Sequence, residues 1–278
     1  MTLLLETYND YTWLAPYGYG VVLLGFSIYL FRLIENLYAN IFQKPLFRNY
    51  FIYKKLSTSQ LKILKEEFLF YNSLSKKHQR QFQHRIVSFI SEKEFIGREN
   101  LQVTERMKVL VSAVACMLSF GRKNYNFGLV EHILIYPKEF YSKANKVYHK
   151  GEFNPKVKAL ALSWKDFEIG FQIENDNRNL GIHEFMHALQ LEAKQGSDSD
   201  SERFEKQFQN ILKLLTKPSL KDKLINTRYF REYAFTNQYE FMAVMAEYFI
   251  ESPQEFKSMF PKLYSHTKTM LNFNFSNY

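Results

Sequence analysis

The sequence predicts a mainly helical α+β domain with a small β-sheet, preceded by one N-terminal transmembrane helix. Most of the chain carries apolar residues at the three- to four-residue spacing of amphipathic helices. Two short apolar runs in the middle, 130–136 and 159–164, have the length of strands. A third run, 11–31, contains no charged side chain over its 21 residues. With only 10 Gly and 7 Pro in 278 residues, a loop-rich or disordered chain is excluded.

The uncharged run near the N-terminus is long enough to cross a bilayer. At a rise of about 1.5 Å per residue it extends roughly 30 Å, the thickness of the hydrocarbon core. Four aromatic residues between positions 11 and 19 crowd its first end, as in an interfacial aromatic belt. A signal peptide fits less well, because the preceding residues include Glu6 and Asp10 but no Lys or Arg. A buried core helix is the other alternative.

Basic residues predict the orientation of this span. No Lys or Arg precedes it, whereas Arg32, Lys44 and Arg48 follow it closely. The positive-inside rule then places the N-terminus outside and the rest of the chain in the cytoplasm. We therefore expect an extracytoplasmic segment 1–10, an anchor 11–34 and a basic juxtamembrane linker 35–56. The chain would be a single-pass membrane protein with its domain in the cytoplasm.

The positive charge is concentrated after the span. The formal net charge is +9, and residues 44–98 hold twelve Lys or Arg against four Glu. Such a region favours nucleic acid or an anionic membrane surface. Because the sequence shows no nucleic-acid-binding module, we expect no nucleic-acid partner and assign the charge to lipid headgroups.

The single cysteine, Cys116, excludes an internal disulfide framework and a cysteine-based zinc site. It lies in an apolar run and is more simply a small core residue than a nucleophile. Asp198 and Asp200 alternate in the acidic segment 195–202, but the later pattern of a calcium loop is absent. We interpret that segment as a solvated surface loop.

The domain predicted at 57–271 is built from the following elements in order, with a frayed tail at 272–278. Helices are expected at 60–71, 76–94 and 105–120, strands at 130–136 and 159–164, and helices around 180–189 and at 204–215, 238–250 and 256–271. Ser57, Thr104 and Asn237 are candidate N-caps, and Gly97 and Gly121 are expected to end helices. Segments 148–152 and 175–179 have the composition of loops.

The stretch 180–189 reads LGIHEFMHAL and contains the pattern H-E-x-x-H. On a helix, His183 and His187 are one turn apart, so both imidazoles leave the same face and can bind one Zn²⁺. Glu184 projects about 100° around the helix. It would lie beside the open position of the metal, where it can accept a proton from water. The alternative is a helix whose histidines are buried and hydrogen-bonded.

A catalytic zinc site needs a third protein ligand. The predicted helix 238–250 carries Glu240 and Glu247, which are two turns apart on roughly one face of an otherwise apolar segment. Burying a carboxylate costs free energy unless a metal or an imidazole N–H partners it. Spacing alone leaves both glutamates open as the ligand.

The order of motifs resembles that of the MtfA-like zinc peptidases, a gluzincin-type family named after the bacterial Mlc titration factor. The resemblance covers roughly residues 74–253. Its motifs are KEFIG at 93–97, LQVT at 101–104, AVACMLSFG at 113–121, ILIYP at 133–137, YHKGE at 148–152, LSW at 162–164, HEFMHAL at 183–189, Tyr233, NQYEFMAV at 237–244 and EYF at 247–249.

The resemblance implies a zincin-like metallopeptidase domain that acts on a peptide or protein substrate. It implies one Zn²⁺ per chain, held by His183, His187 and Glu240, with Glu184 as the catalytic base. Tyr233 aligns with a family tyrosine that points into the site, where a phenol can hydrogen-bond the oxyanion; a core or surface tyrosine is the alternative. Glu247 would then contact a ligand side chain and not the metal itself. Endopeptidase and aminopeptidase activity both stay open.

Three positions depart from the family pattern, and one alternative function follows from it. Gln190 stands where the family often has Asp, and Gln238 and Tyr239 replace small or proline residues. The founding member binds a transcriptional repressor, so a regulatory binding protein with such a partner is the alternative to a peptidase.

Many zinc peptidases pair an extended substrate with an edge strand beside the site. The run 159–163 is our candidate for that strand, and His149 is a candidate residue of the cleft. A core strand and a structural loop histidine are the corresponding alternatives.

Overall fold

A computed structural model describes residues 12–42, 53–142, 146–172 and 176–275. The chain divides into two compact units, 1–46 and 47–278. The predicted extracytoplasmic segment 1–10, part of the predicted linker (43–52) and the last tail residues (276–278) lie outside the described residues.

The described part of the first unit, residues 12–42, is a short 3₁₀ turn followed by one long helix. A short 3₁₀ turn, Thr12–Leu14, leads into α1, Ala15–Phe42. The stretch Ala15–Glu35 is long and apolar enough to cross a membrane, and none of its most apolar window is buried. The prediction of one N-terminal apolar helix is confirmed at this level.

The second unit is mostly helical. Its α-helices are α2 (Thr58–Glu67), α3 (Leu69–Ser73), α4 (Lys76–Glu92), α5 (Glu105–Leu118), α6 (Trp164–Gln172), α7 (Leu180–Gln195), α8 (Ser199–Leu215), α9 (Pro218–Thr227), α10 (Gln238–Glu251), α11 (Pro253–Met259) and α12 (Pro261–Met270). Its strands are β1 (Glu94–Gly97), β2 (His132–Tyr136), β3 (Phe140–Ser142), β4 (Val147–His149), β5 (Gly151–Asn154) and β6 (Ala159–Ser163). A mainly helical α+β unit with small sheets is therefore confirmed.

The main sheet has the strand order β1-β2-β6-β5. The first three strands are parallel, and β5 pairs antiparallel with β6. Every residue of β6 is buried, as expected for an interior strand. Strands β3 and β4 form a separate antiparallel pair.

The sheet decides one open alternative and corrects one prediction. The run 159–163 is the core strand and not the edge strand, because residues 151–154 pair with its outer side and take the edge themselves. Segment 148–152 is not a loop, since it contains the end of β4 and the start of β5. Its Gly and charged residues have low strand propensity, and the segment is extended because residues 148 and 149 pair with β3 and residues 151 and 152 pair with β6.

The core is centred on α5. All residues from Val109 to Leu118 are buried, which agrees with the predicted central helix. Helices α4 and α7 pack against α5, and α7 also contacts α8, α10 and β5. The helix with the H-E-x-x-H pattern therefore lies between the helical core and the edge strand.

The predicted caps are confirmed, whereas several helix limits were wrong. Side chains of Ser57, Thr104 and Asn237 accept backbone N–H groups at the starts of α2, α5 and α10. The predicted helix 60–71 is interrupted at Phe68, whose backbone is not helical. The predicted helix 256–271 is two helices, since Pro261 begins a new one.

Other differences reflect pairing and packing. The predicted helix 76–94 ends at Glu92 because the next residues join the sheet as β1. Asp198 caps α8, so the acidic segment 195–202 is not entirely a loop. Helices α6 and α9 were not predicted. Residues 272–275 are not frayed, because Phe273 and Phe275 are buried in the core.

Candidate metal centre

Helix α7 is held firmly at its first turn. Asn179 caps it by accepting the N–H of Ile182 at 3.1 Å. Between the two histidines, Phe185 and Met186 are fully buried, and the Phe185 ring packs against aromatic rings of the core. The apolar face of α7 therefore points into the core, and both histidines point to the opposite side.

The structure brings His183, His187 and Glu240 together, with one potential ligand atom of each within 4.8 Å of the others. The Nε2 atom of His183 lies 2.9 Å from Glu240 Oε2 and 3.2 Å from His187 Nε2. His187 Nε2 lies 3.5 Å from the same carboxylate oxygen. Two imidazoles and one carboxylate thus converge on one point.

These separations fit a zinc ion. A tetrahedral ion with bonds of 2.0–2.1 Å keeps its ligand atoms about 3.3 Å apart. The three distances, 2.9, 3.2 and 3.5 Å, bracket that value. Nitrogen and carboxylate oxygen are also the donors found in catalytic zinc sites. The donor set and its spacing therefore suit zinc.

Electrostatics in the metal-free cluster favour a cation. Burial alone would lower the pKa of His183, but carboxylates hydrogen-bonded to both ring nitrogens raise it to about 10. Burial acts to raise the pKa of Glu240, yet its bonds to the two imidazoles hold that pKa well below the usual range. Because the site stabilises a proton so strongly, it offers a favourable potential to a metal cation as well.

Glu184 lies beside the cluster but outside it. Its side chain is almost entirely buried. Burial raises the pKa of its carboxyl, and the two nearby imidazoles offset part of that rise. Edge strand β5 passes directly over it: a Cβ at Gly151 would lie 2.5 Å from Cγ and Oε1 of Glu184. Only glycine allows the strand to approach the carboxylate so closely.

A second layer of residues orients His183. Glu247 Oε1 accepts a hydrogen bond from His183 Nδ1 at 2.7 Å, which leaves Nε2 directed at the cluster. Arg231 donates to both oxygens of Glu247, at 2.6 and 3.1 Å. The backbone N–H of Asn179 also donates to Glu247, at 2.9 Å. Glu247 is 1 % exposed, so these donors compensate a buried charge.

Tyr233 lies at the rim of the cluster, on the 3₁₀ turn Glu232–Phe235. Its ring centre is 5.9 Å from that of His183, and its side chain lies close to the Glu240 carboxylate. Burial and the neighbouring carboxylate raise its pKa, so the phenol stays protonated at neutral pH. The residue is 52 % exposed, so its side chain is accessible to solvent at the rim of the cluster.

All five predicted site residues thus lie in one region. Of the two glutamates that spacing left open, Glu240 is in the cluster and Glu247 contacts the far nitrogen of His183. Among the described residues, the metal-binding cluster does not include His149. Asp198 is a helix cap, and Asp200 pairs with Arg203. Cys116 is fully buried, and burial raises the pKa of its thiol to about 12, which makes it unreactive.

Sequence reasoning missed three contributors, namely Gly151, Asn179 and Arg231. Asn179 carried a signal, because Asn directly before an apolar helical run is a preferred N-cap. Gly151 was noticed only as part of a loop motif. Nothing in the pattern around Arg231 indicates its partner, which lies 16 residues away on α10.

Comparison with known proteins supports the same chemistry. The profile of a family described as glucose-regulated metallopeptidase M90 matches residues 47–271. An uncharacterized protein of Synechocystis sp. is 26 % identical over 226 residues, covering 73 % of this chain and 79 % of the relative. The resemblance to MtfA-like peptidases is thereby confirmed. The chain belongs to the M90 family of glucose-regulated metallopeptidases.

Proposed function

We propose that this protein is a zinc-dependent peptidase with a zincin-like domain, in which His183, His187 and Glu240 hold the metal. The observation that carries the proposal is the convergence of these three side chains at distances suited to a tetrahedral ion. The antiparallel edge strand β5 beside α7 supports the zincin-like arrangement, because an extended peptide can add to such an edge.

Zinc in such a site polarises a carbonyl oxygen and lowers the pKa of water to near 7. Glu184 accepts the proton of the attacking water and delivers it to the leaving amine. The raised pKa of its carboxyl suits both steps, because a general base works best near the operating pH. The Tyr233 hydroxyl donates a hydrogen bond to the developing oxyanion. Glu247 and Arg231 keep His183 in the required tautomer and orientation.

The decisive variant is Glu184→Gln, tested in the full chain in detergent. Gln keeps the size of the side chain but cannot accept a proton, so we expect a loss of peptide hydrolysis of about 10²- to 10⁴-fold. Zinc content by elemental analysis should match the parent, because residue 184 is not a ligand. If this variant hydrolysed peptides as fast as the parent, the assignment of Glu184 as the base would be refuted.

The same variant separates hydrolysis from the repressor-binding role that the resemblance implies. If the function is to bind a transcriptional repressor and zinc only stabilises the fold, Glu184→Gln should still relieve repression. If the function is proteolysis, Glu184→Gln should lose both peptide hydrolysis and the relief of repression.

We further propose that residues 11–34 anchor the protein in a bacterial inner membrane with the peptidase domain in the cytoplasm. The apolar window within Ala15–Glu35 and the basic residues that follow it support this proposal. The full chain should then stay in the membrane pellet after alkaline carbonate extraction. Protease added to sealed inverted vesicles should digest the domain, and protease added to intact spheroplasts should not.

A further inference from the structure

A cavity of about 340 Å³ opens directly beside the cluster of candidate metal ligands. Its walls come from α7, from the end of β5 and the following turn, and from the start of α10. His187 and Glu240 belong to its lining, so any group that fills the cavity lies next to the reacting carbonyl. The cavity is therefore placed to bind a part of the substrate close to the scissile bond.

Two residues singled out by the sequence meet in this cavity. Gln190 Nε2 donates to the backbone oxygen of Tyr239 at 3.2 Å, which ties α7 to the start of α10. Gln190 is 5 % exposed, and its Oε1 has no hydrogen-bond partner among the described residues. The wall formed by these two side chains is uncharged.

Two charged residues line the cavity, Glu240 at its inner end and Lys194 at its outer end. On α7, His187, Gln190 and Lys194 follow each other at intervals of three and four residues, so they share one face. Lys194 is exposed and forms no ion pair within the described part of the chain. Glu240, at the inner end, is engaged by the two histidines. Lys194 is therefore the charge available to a ligand.

We propose that this cavity is a substrate subsite that binds a carboxylate, with Lys194 as its positive partner. The inference rests on the proposed peptidase function and names the substrate class. Lys194 lies about 10 Å along α7 from His187, since seven residues each rise 1.5 Å. An extended peptide advances about 3.3 Å per residue, so the carboxylate lies two or three residues from the scissile bond. It is either an acidic side chain or the C-terminal carboxylate of a short peptide.

The experiment compares the full-length parent, Lys194→Glu and Lys213→Glu on quenched-fluorescence peptides. The peptides carry Glu, Gln or Lys at each position, and each is made with a free and with an amidated C-terminus. Lys213 is the matched control, because it is an exposed lysine in the last turn of α8 and lies outside the cavity. Both substitutions therefore cost the same favourable interaction with a helix C-terminus.

We expect the parent and Lys213→Glu to prefer Glu over Lys at one position by about fivefold in kcat/KM, the effect of a favourable exposed ion pair. Lys194→Glu should invert that preference. A Glu preference that persists on amidation identifies a side chain as the ligand. If the Glu, Gln and Lys peptides are cleaved equally, but amidation lowers kcat/KM in the parent and not in Lys194→Glu, the ligand is the C-terminal carboxylate. An unchanged preference in Lys194→Glu would overturn the inference while leaving the peptidase function intact.

A second readout does not depend on turnover. Zinc-loaded Glu184→Gln, with and without Lys194→Glu, is titrated with the same labelled peptides, and binding is followed by fluorescence anisotropy. Tighter binding of the Glu peptide that reverses in the double variant supports the carboxylate subsite. If the parent cleaves no peptide but this reversal is observed, the peptidase function fails and the binding site stands. Equal binding of the Glu and Lys peptides, together with equal binding of the free and amidated peptides, overturns the subsite.

Discussion

At the scale of single residues, Tyr233 provides the sharpest test of the chemistry. Its side chain is half exposed and lies close to the Glu240 carboxylate. We expect Tyr233→Phe to lower kcat by roughly 10²-fold, because one oxyanion donor is lost. The KM and zinc content should stay near those of the parent. Steady-state kinetics with Tyr148→Phe, another exposed tyrosine, as control would check this, and an unchanged kcat would contradict it.

Arg231 acts through another residue. It donates two hydrogen bonds to Glu247, which in turn bonds His183. In Arg231→Gln the buried carboxylate loses its cationic partner, and we expect zinc affinity to fall by about 10- to 100-fold. Competition with a chelating dye measures this affinity directly. Arg231→Lys, which keeps the charge but not the paired donors, should recover part of it; equal affinities in all three proteins would contradict the role.

At the scale of elements, the contact between β5 and α7 positions Glu184, the proposed base. A methyl group at Gly151 cannot fit against Glu184, so Gly151→Ala must push the strand or the carboxylate aside. We expect kcat/KM to fall by about 10- to 100-fold, since small displacements of a catalytic group have effects of that size. Zinc content should be unchanged.

Gly128→Ala is the matched control for this element. There the nearest atom to a new Cβ is 3.7 Å away, an ordinary contact. Both variants should show similar melting temperatures in zinc. If Gly128→Ala lost as much activity as Gly151→Ala, the effect would belong to glycine replacement in general and not to the approach of β5 to Glu184.

At the scale of the whole molecule, Glu251 links stability to pH. It lies at the end of α10, and burial raises the pKa of its carboxyl to about 8, from a reference of 4.5. The folded protein therefore holds this proton more tightly than the unfolded chain. The resulting stabilisation is complete below about pH 4.5 and is lost as pH rises towards 8.

We expect Glu251→Gln to abolish this loss, because the amide cannot ionise. At pH 8 to 9 the variant should melt several degrees or more above the parent, because a carboxyl pKa raised from 4.5 to about 8 corresponds to several kcal/mol of lost stability. At pH 5 the two should melt together. Thermal melts across this range check it, with the exposed Glu66→Gln as control. A parallel pH dependence in parent and variant would contradict the assignment.

Much of the helical framework was predictable, because it depends on neighbours in the chain. The capping side chains of Ser57, Thr104 and Asn237 act within three residues of their own position. The two histidines share a face by helical periodicity alone. In contrast, β5 is extended only because β6 pairs with it, and a break such as that at Phe68 depends on the packing of α2 and α3.

The sequence by itself determined that His183 and His187 face one way with Glu184 beside them, because covalent spacing on one helix sets their directions. It also determined that an apolar helix precedes the domain. Only the tertiary structure decided that Glu240 joins the cluster and Glu247 supports it, and that Gly151 and Arg231 take part. These residues belong to different elements, and their distances depend on how helices and strands pack, which no local pattern encodes.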